Sequence, residues 1–198
     1  MAISPLVKIP AHLHVTDEQF VQLVKANPDL RLERTAEGEL LVMPPTGSEG
    51  GSYNAEVSAD VVLWNRRAGL GKVFDSSTGF RLPNGAIRAP DTAWVAHPRW
   101  DALTPAQRQG FAPLCPDFVL ELASATDDIE DLRAKMQEYL DNGCRLGWLI
   151  DAKTRQVEIY RPGQPIEVLQ APARLSGEEV LPGFVLDLHG LFSSPAQE

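Results

Sequence analysis

The stretch Pro116-Asp117-Phe118-Val119-Leu120-Glu121-Leu122 decides the fold of this chain. From Phe118 to Ala123 it is short and almost continuously apolar, the pattern of a strand buried on both faces. A helix is expected over residues 128–142. Ile129, Leu132, Met136 and Leu140 recur there at helical spacing, and Gly143 follows as a natural C-cap. Leu146-Gly147-Trp148-Leu149-Ile150-Asp151 is a second buried strand. Strand, helix and strand in that order make a right-handed βαβ crossover by default.

Working outward, upstream residues 87–96 read as one strand and 72–82 as a strand or hairpin arm. Pro83-Asn84-Gly85 marks a tight turn between them. A helix with Val57, Val61, Leu63 and Trp64 at helical spacing is expected over about 52–68, closed by Gly69 and Gly71. Residues 44–52 read as a loop. Residues 30–35 and 39–43 form a hairpin around Glu37-Gly38. Thr16-Asp17-Glu18-Gln19 fits a capping box that opens the first helix, and Asn27-Pro28 ends it. The connector 97–110 holds a helical turn or two, starting at Thr104-Pro105. Downstream, 157–160 is a strand, and 166–169 and 180–188 are peripheral strands. The expected architecture is α/β (α+β): one domain over 1–198 built on a central mixed sheet flanked by helices, with antiparallel additions. Residues 1–15 are expected to be an arm and 193–198 a tail.

The chain has 198 residues and a net charge of -9, with 43% apolar and 23% charged residues, ordinary for a soluble globular protein. That charge excludes a protein that coats nucleic acid by bulk electrostatics. It is unevenly spread. Arg66, Arg67, Lys72, Arg81, Arg88, Arg99 and Arg108 outnumber Asp75, Asp91 and Asp101 in residues 61–110, which fits either a local phosphate-facing surface or scattered surface arginines. Cys115 and Cys144 make neither a disulfide framework nor a zinc site and read as buried reduced thiols. No signal peptide and no membrane-spanning run is visible, so a cytoplasmic location is expected. There is no phosphate-binding glycine loop and no serine nucleophile elbow. His12 and His14 alternate like ligands but lie in the arm without a cysteine nearby. Trp64, Trp94 and Trp100 are expected in the core rather than at an interface.

Two carboxylates stand out. Asp91 follows Pro90 within an apolar strand, and Glu121 sits in the middle of another. A carboxylate there costs several kcal/mol unless it is paired, hydrogen-bonded or metal-bound. Asp117 shares the strand parity of Glu121 and is either a third acid near the site or, the favoured reading, a strand-start residue. Lys135 lies roughly 90° from the centre of the expected buried stripe, where a lysine lays its stem on apolar surface and aims its amine at a strand end. Tyr139 lies between Lys135 and that stripe. Two carboxylates suit Mg²⁺ or Mn²⁺ through hard oxygens, and a lysine beside them suits phosphodiester hydrolysis.

With Pro90-Asp91, Pro116 to Leu122, Leu132-Arg133-Ala134-Lys135-Met136, Tyr139, Asn142-Gly143, Leu146 to Asp151 and Val157-Glu158-Ile159-Tyr160-Arg161-Pro162-Gly163, the chain resembles the Uma2 family. That family is restriction-endonuclease-like and falls in the PD-(D/E)XK nuclease superfamily. Met43-Pro44-Pro45-Thr46-Gly47 and Val180-Leu181-Pro182-Gly183-Phe184 fit as well, so the resemblance runs from about residue 16 to 192. It implies a restriction-endonuclease-like core and a metal-dependent endonuclease acting on nucleic acid, DNA in the first instance. Asp91 and Glu121 would hold Mg²⁺ or Mn²⁺. The superfamily lysine is expected two residues after the second acid, where this chain has Ala123, and Lys135 from the following helix is the substitute. Ser124-Ala125-Thr126 stands where the family reads Ser-Pro-Ser. A glutamate from the early helix often completes such sites, and Glu56 is the match. Cutting both strands with a chain of this size implies a homodimer. The alternative is a nuclease-fold protein without catalysis that binds nucleic acid or another partner.

Overall fold

The computed structural model describes residues 12–124 and 127–192. The expected tail over 193–198, most of the arm, and Ala125-Thr126 of the family-variant loop lie outside the described residues.

The crossover unit is present. Strand β7 (Phe118–Ala123) and strand β8 (Leu146–Asp151) pair in parallel, with helix α5 (Ile129–Asp141) between them. Around this pair a six-stranded mixed sheet is completed antiparallel by β3 (Gly71–Asp75), β6 (Thr92–Ala96), β9 (Gln156–Tyr160) and β10 (Glu167–Gln170), in the order β10-β9-β8-β7-β6-β3. Alternation along β7 splits the interior into two layers. Phe118 and Leu120 pack with Trp148 and Ile150 against helix α2 (Ser48–Ala68), through its Val57, Val61 and Trp64. Val119 and Leu149 face α5, through Met136 and Tyr139. Glu121 has the parity of Val119, so its position on β7 directs it to the α5 layer.

A second sheet lies beside the first. The hairpin β1 (Arg31–Arg34) and β2 (Leu40–Met43) joins β5 (Ile87–Arg88) and β4 (Phe80–Arg81) in the order β2-β1-β5-β4. Helix α1 (Asp17–Ala26) opens with the expected capping box. Gln19 N–H donates to Thr16 Oγ1, and Thr16 N–H donates to Gln19 Oε1. The connector after β6 forms two short helices, α3 (His97–Asp101) and α4 (Pro105–Gln109), the second capped by Thr104. Strands β11 (Arg174–Ser176) and β12 (Val185–Asp187) pair with each other, and the one-turn helix α6 (His189–Phe192) follows. Peripheral in the sheets, this segment still buries Leu175, Leu181, Leu186 and Leu188 against the α2 layer. Trp64 and Trp94 are core residues, as expected, and both cysteines are buried and free.

Several boundaries differ from expectation. Helix α2 starts at Ser48, because Gly50 and Gly51 are absorbed into its first turns, where the Gly51 amide bonds Gly47. The expected strand 87–96 is two strands in two sheets. Pro90 has no N–H to give to a ladder, and the chain crosses from one sheet to the other at Ala89-Pro90-Asp91. Residues 72–82 are likewise divided between β3 and β4, by a turn in which Asp75 Oδ1 accepts from the Ser77 amide and hydroxyl.

Helix α5 turns a different face inward than its leucines suggest. Met136 and Tyr139 are fully buried, while Leu140 is only partly so. The buried face is thus rotated by roughly 35° toward Lys135. The helix packs closely on β8, where a Cβ on Gly147 would stand 2.5 Å from Met136 Cε.

Candidate active site

The sheet crossing at Ala89-Pro90-Asp91 delivers Asp91 to the start of β6, beside Glu121 on β7. Asp91 Oδ2 accepts the backbone N–H of Leu122 at 2.9 Å, which ties the first acid to the residue next to the second. Lys135 Nζ lies 2.8 Å from Glu121 Oε1 and 2.9 Å from Glu33 Oε1. Tyr139 donates its hydroxyl to the same Glu121 oxygen at 3.0 Å. Asp91, Glu121 and Lys135, picked from the sequence, therefore converge. All three line one large cleft of about 1960 Å³ between the hairpin sheet, the start of α2 and the start of α5.

Burial raises the carboxyl of Glu121 to about 7, against the pull of Lys135 and with the charges of Asp91 and Glu33 adding to the rise. Burial acts on Glu33 in the same sense. There the Lys135 and Arg88 cations, with the amide of Ala89, outweigh it and hold that carboxyl below its usual range. Burial alone would discharge Lys135, yet the carboxylates of Glu121 and Glu33 keep its amine charged and its pKa raised. Tyr139 stays protonated, because burial and the neighbouring carboxylates oppose a phenolate.

Five participants, Glu33, Arg88, Glu138, Asn54 and Arg31, were not singled out as site residues in the sequence. Glu33 is 2% exposed and also receives Arg88 at 3.2 Å and the Ala89 amide at 3.0 Å. Arg88 passes the network on to Glu138 at 2.5 Å. On β1, Arg31 and Glu33 alternate with Leu32, which in sequence looks the same as the wet face of a hairpin. Asn54, on α2, donates Nδ2–H to Asp91 Oδ1 at 3.3 Å, and the Arg31 guanidinium stands 3.9 Å from that oxygen. A signal for Asn54 existed: with Val57, Val61 and Trp64 it shares one helical stripe.

Glu56 does not join the cluster. At about 100° per residue it points away from that stripe, and it is exposed, with Ser52 as a hydrogen-bond partner. Asp117 is a strand-start residue at the other end of β7. Its Oδ2 accepts the Ala96 amide at 2.9 Å, and Arg99 lies 3.1 Å from Oδ1. The basic excess of residues 61–110 does not face the cleft either. Arg81 pairs with Asp17, Arg99 with Asp117 and Arg108 with Asp101. Of the seven, Arg88 alone lines the cleft, where Glu33 and Glu138 already hold it. The His12 ring pairs with Glu39, and the His14 ring bonds the backbone carbonyl of His12.

Among the described residues, no three His, Cys, Asp or Glu side chains are grouped to hold a metal ion by themselves. The donor set around Asp91 nevertheless suits a hard cation. Asp91 and Glu121 offer carboxylate oxygens, and Asn54 Oδ1 is buried without a hydrogen-bond partner. An orphaned amide oxygen costs about 1–3 kcal/mol, which a coordinated cation would offset.

The Uma2 profile, described as "Putative restriction endonuclease", matches residues 17–189. No curated protein matches the chain. Among solved structures, the chain is similar to "a putative nuclease belonging to DUF820" from Anabaena variabilis. The TM-score is 0.75 at 21% identity, over 90% of this chain and 98% of that one. At that identity the likeness establishes the nuclease-like fold.

Proposed function

The chain belongs to the Uma2 family, and on that premise we propose that it is a metal-dependent endonuclease that hydrolyses phosphodiester bonds of nucleic acid, DNA in the first instance. The observation that carries the reading is the meeting of Asp91, Glu121 and Lys135, with Lys135 Nζ 2.8 Å from Glu121 and Asp91 seated on the Leu122 amide.

Asp91 and Glu121 would hold Mg²⁺ or Mn²⁺, which supplies Lewis-acid activation of water and of a phosphate oxygen. The chain's own residues do the rest. The Leu122 amide fixes the rotamer of Asp91. Tyr139 and Lys135 fix Glu121 by its Oε1. The Lys135 ammonium stands where it can orient a water and offset negative charge gathering on the phosphate. Glu33, anchored by Arg88 and the Ala89 amide, keeps that ammonium in place. Two copies of the chain, each cutting one strand, are proposed for a duplex substrate.

Cleavage of supercoiled plasmid with Mn²⁺ tests the reading, with loss of cleavage expected in Glu121→Ala. Mn²⁺ affinity measured by calorimetry is expected to fall in Asp91→Ala, and equal affinity in both chains would sink the metal site. A binding role without catalysis is the second reading. It is favoured by the acidic rim of the cleft, where Glu49, Asp127, Asp128 and Asp131 would repel a phosphate backbone. The partner is then not nucleic acid, and neither nucleic-acid retention nor Mn²⁺-dependent nicking is expected.

A further inference from the structure

We propose that the side-chain oxygen of Asn54 is a ligand, beside Asp91, of the divalent cation at this site; the inference rests on the metal-dependent reading above. Three observations place it there. Asn54 Oδ1 is buried with no hydrogen-bond partner, although buried amide oxygens are almost always satisfied. The orientation of the amide is fixed by its neighbour. Nδ2 donates to Asp91 Oδ1 at 3.3 Å, and the reverse orientation would set an oxygen against a carboxylate. A second orphan sits at the same carboxylate: Arg31 Nε is buried and unpartnered, and the guanidinium reaches within 3.9 Å of Asp91 Oδ1.

An orphaned acceptor and an orphaned donor flanking one carboxylate call for a guest that carries both kinds of group. A hydrated divalent cation does: the ion takes the Asn54 oxygen, and a water of its shell accepts from Arg31. An apolar guest satisfies neither, an anion satisfies only the arginine, and a lone water satisfies both without bringing the positive charge that the clustered carboxylates draw. Asn54 also gives the site a donor on α2, a third element beside the two strands that carry Asp91 and Glu121. Its neutral oxygen adds coordination without a further negative charge in a cleft already rich in acids.

Two substitutions separate coordination from mere support of Asp91. Asn54→Ala removes both the oxygen and the N–H, and Asn54→Asp keeps an oxygen but loses the N–H. Mn²⁺ binding is read by isothermal calorimetry and by the rise of Tm on adding Mn²⁺, with no nucleic acid present. Circular dichroism confirms that each variant folds, and Asn54→Leu replaces the alanine variant if that one does not. The expected result is at least a tenfold loss of affinity in Asn54→Ala and affinity equal to or above wild type in Asn54→Asp. If Asn54→Asp falls with Asn54→Ala, Asn54 acts only through its hydrogen bond to Asp91 and the assignment is overturned. Unchanged affinity in both variants overturns it as well, while leaving Asp91 and Glu121 as ligands. Absence of Mn²⁺ binding in the wild-type chain overturns this inference and the metal-dependent reading together.

Discussion

Glu33 and Glu121 belong to different sheets and share one ammonium group, that of Lys135, at 2.9 Å and 2.8 Å. Both carboxylates are nearly inaccessible to water, so the cation between them is as much a part of the fold as of the site. Lys135→Met leaves the two acids facing each other across an apolar side chain. At neutral pH this is expected to cost about 3–5 kcal/mol. The cost should shrink as the pH is lowered and the orphaned acids take up protons. Differential scanning calorimetry at pH 8 and pH 5 checks both statements; an equal loss of Tm at the two values would contradict them.

The raised carboxyl of Glu121 gives the metal-free protein a pH dependence of definite sign. The group holds its proton up to about 7 when folded, against 4.5 when exposed. Between those values the folded chain binds more protons than the unfolded one, so stability falls as pH rises, by up to about 1.4 kcal/mol per pH unit. Glu33 is shifted downward and contributes in the opposite sense, at lower pH. Urea titrations from pH 5 to 8, with chelator present, should show the decline in wild type and its absence in Glu121→Gln.

Asp117 immediately precedes the strand that carries Glu121 and is held by a set of partners of its own. It is 1% exposed and is held by the Ala96 amide, Arg99 and Arg145. Asp117→Asn is expected to lower stability by about 1–3 kcal/mol. Mn²⁺ affinity should stay at the wild-type value, and a fall in affinity in the folded variant would place Asp117 in the site after all.

Neither cysteine should behave as a reactive thiol. Burial pushes Cys144 up to about 12, and Cys115 is raised further by burial and by its neighbour Cys144. Ellman's reagent should leave both untouched in native protein and titrate two thiols per chain in guanidinium. Fast labelling of the native state would refute this.

The parts of the molecule legible in the sequence were those written in local pattern. The βαβ crossover, the hairpin, the capping box of Thr16 and the isolated acids Asp91 and Glu121 all follow from periodicity, or from a charge set in an apolar run. Lys135 was placed at the edge of its helix's apolar face, and the rotation of α5 brings it further in. That rotation is decided by Tyr139 packing inward in place of Leu140, a tertiary choice that leaves no local mark. Glu33 was invisible because its pairing partner is 102 residues away. Glu56 is the match when a glutamate is sought on the early helix, whereas the stripe through Val57 and Val61 indicates which position, Asn54, faces inward. The basic segment shows the same limit: its charges are neighbours in sequence, but most are spent on separate partners.

The chain's passage from one sheet to the other at Pro90, together with the lysine held between Glu33 and Glu121, bears on how the cleft can move. Swinging the hairpin sheet away from the central sheet would draw a buried ammonium off one of its two buried carboxylates and pull on the Leu122 amide through Asp91. The two walls are therefore riveted at the site itself. On the proposed nuclease reading, the aperture is set before a nucleic-acid strand arrives, and accommodation comes from the strand, by bending or by unstacking, rather than from a jaw that opens to receive it.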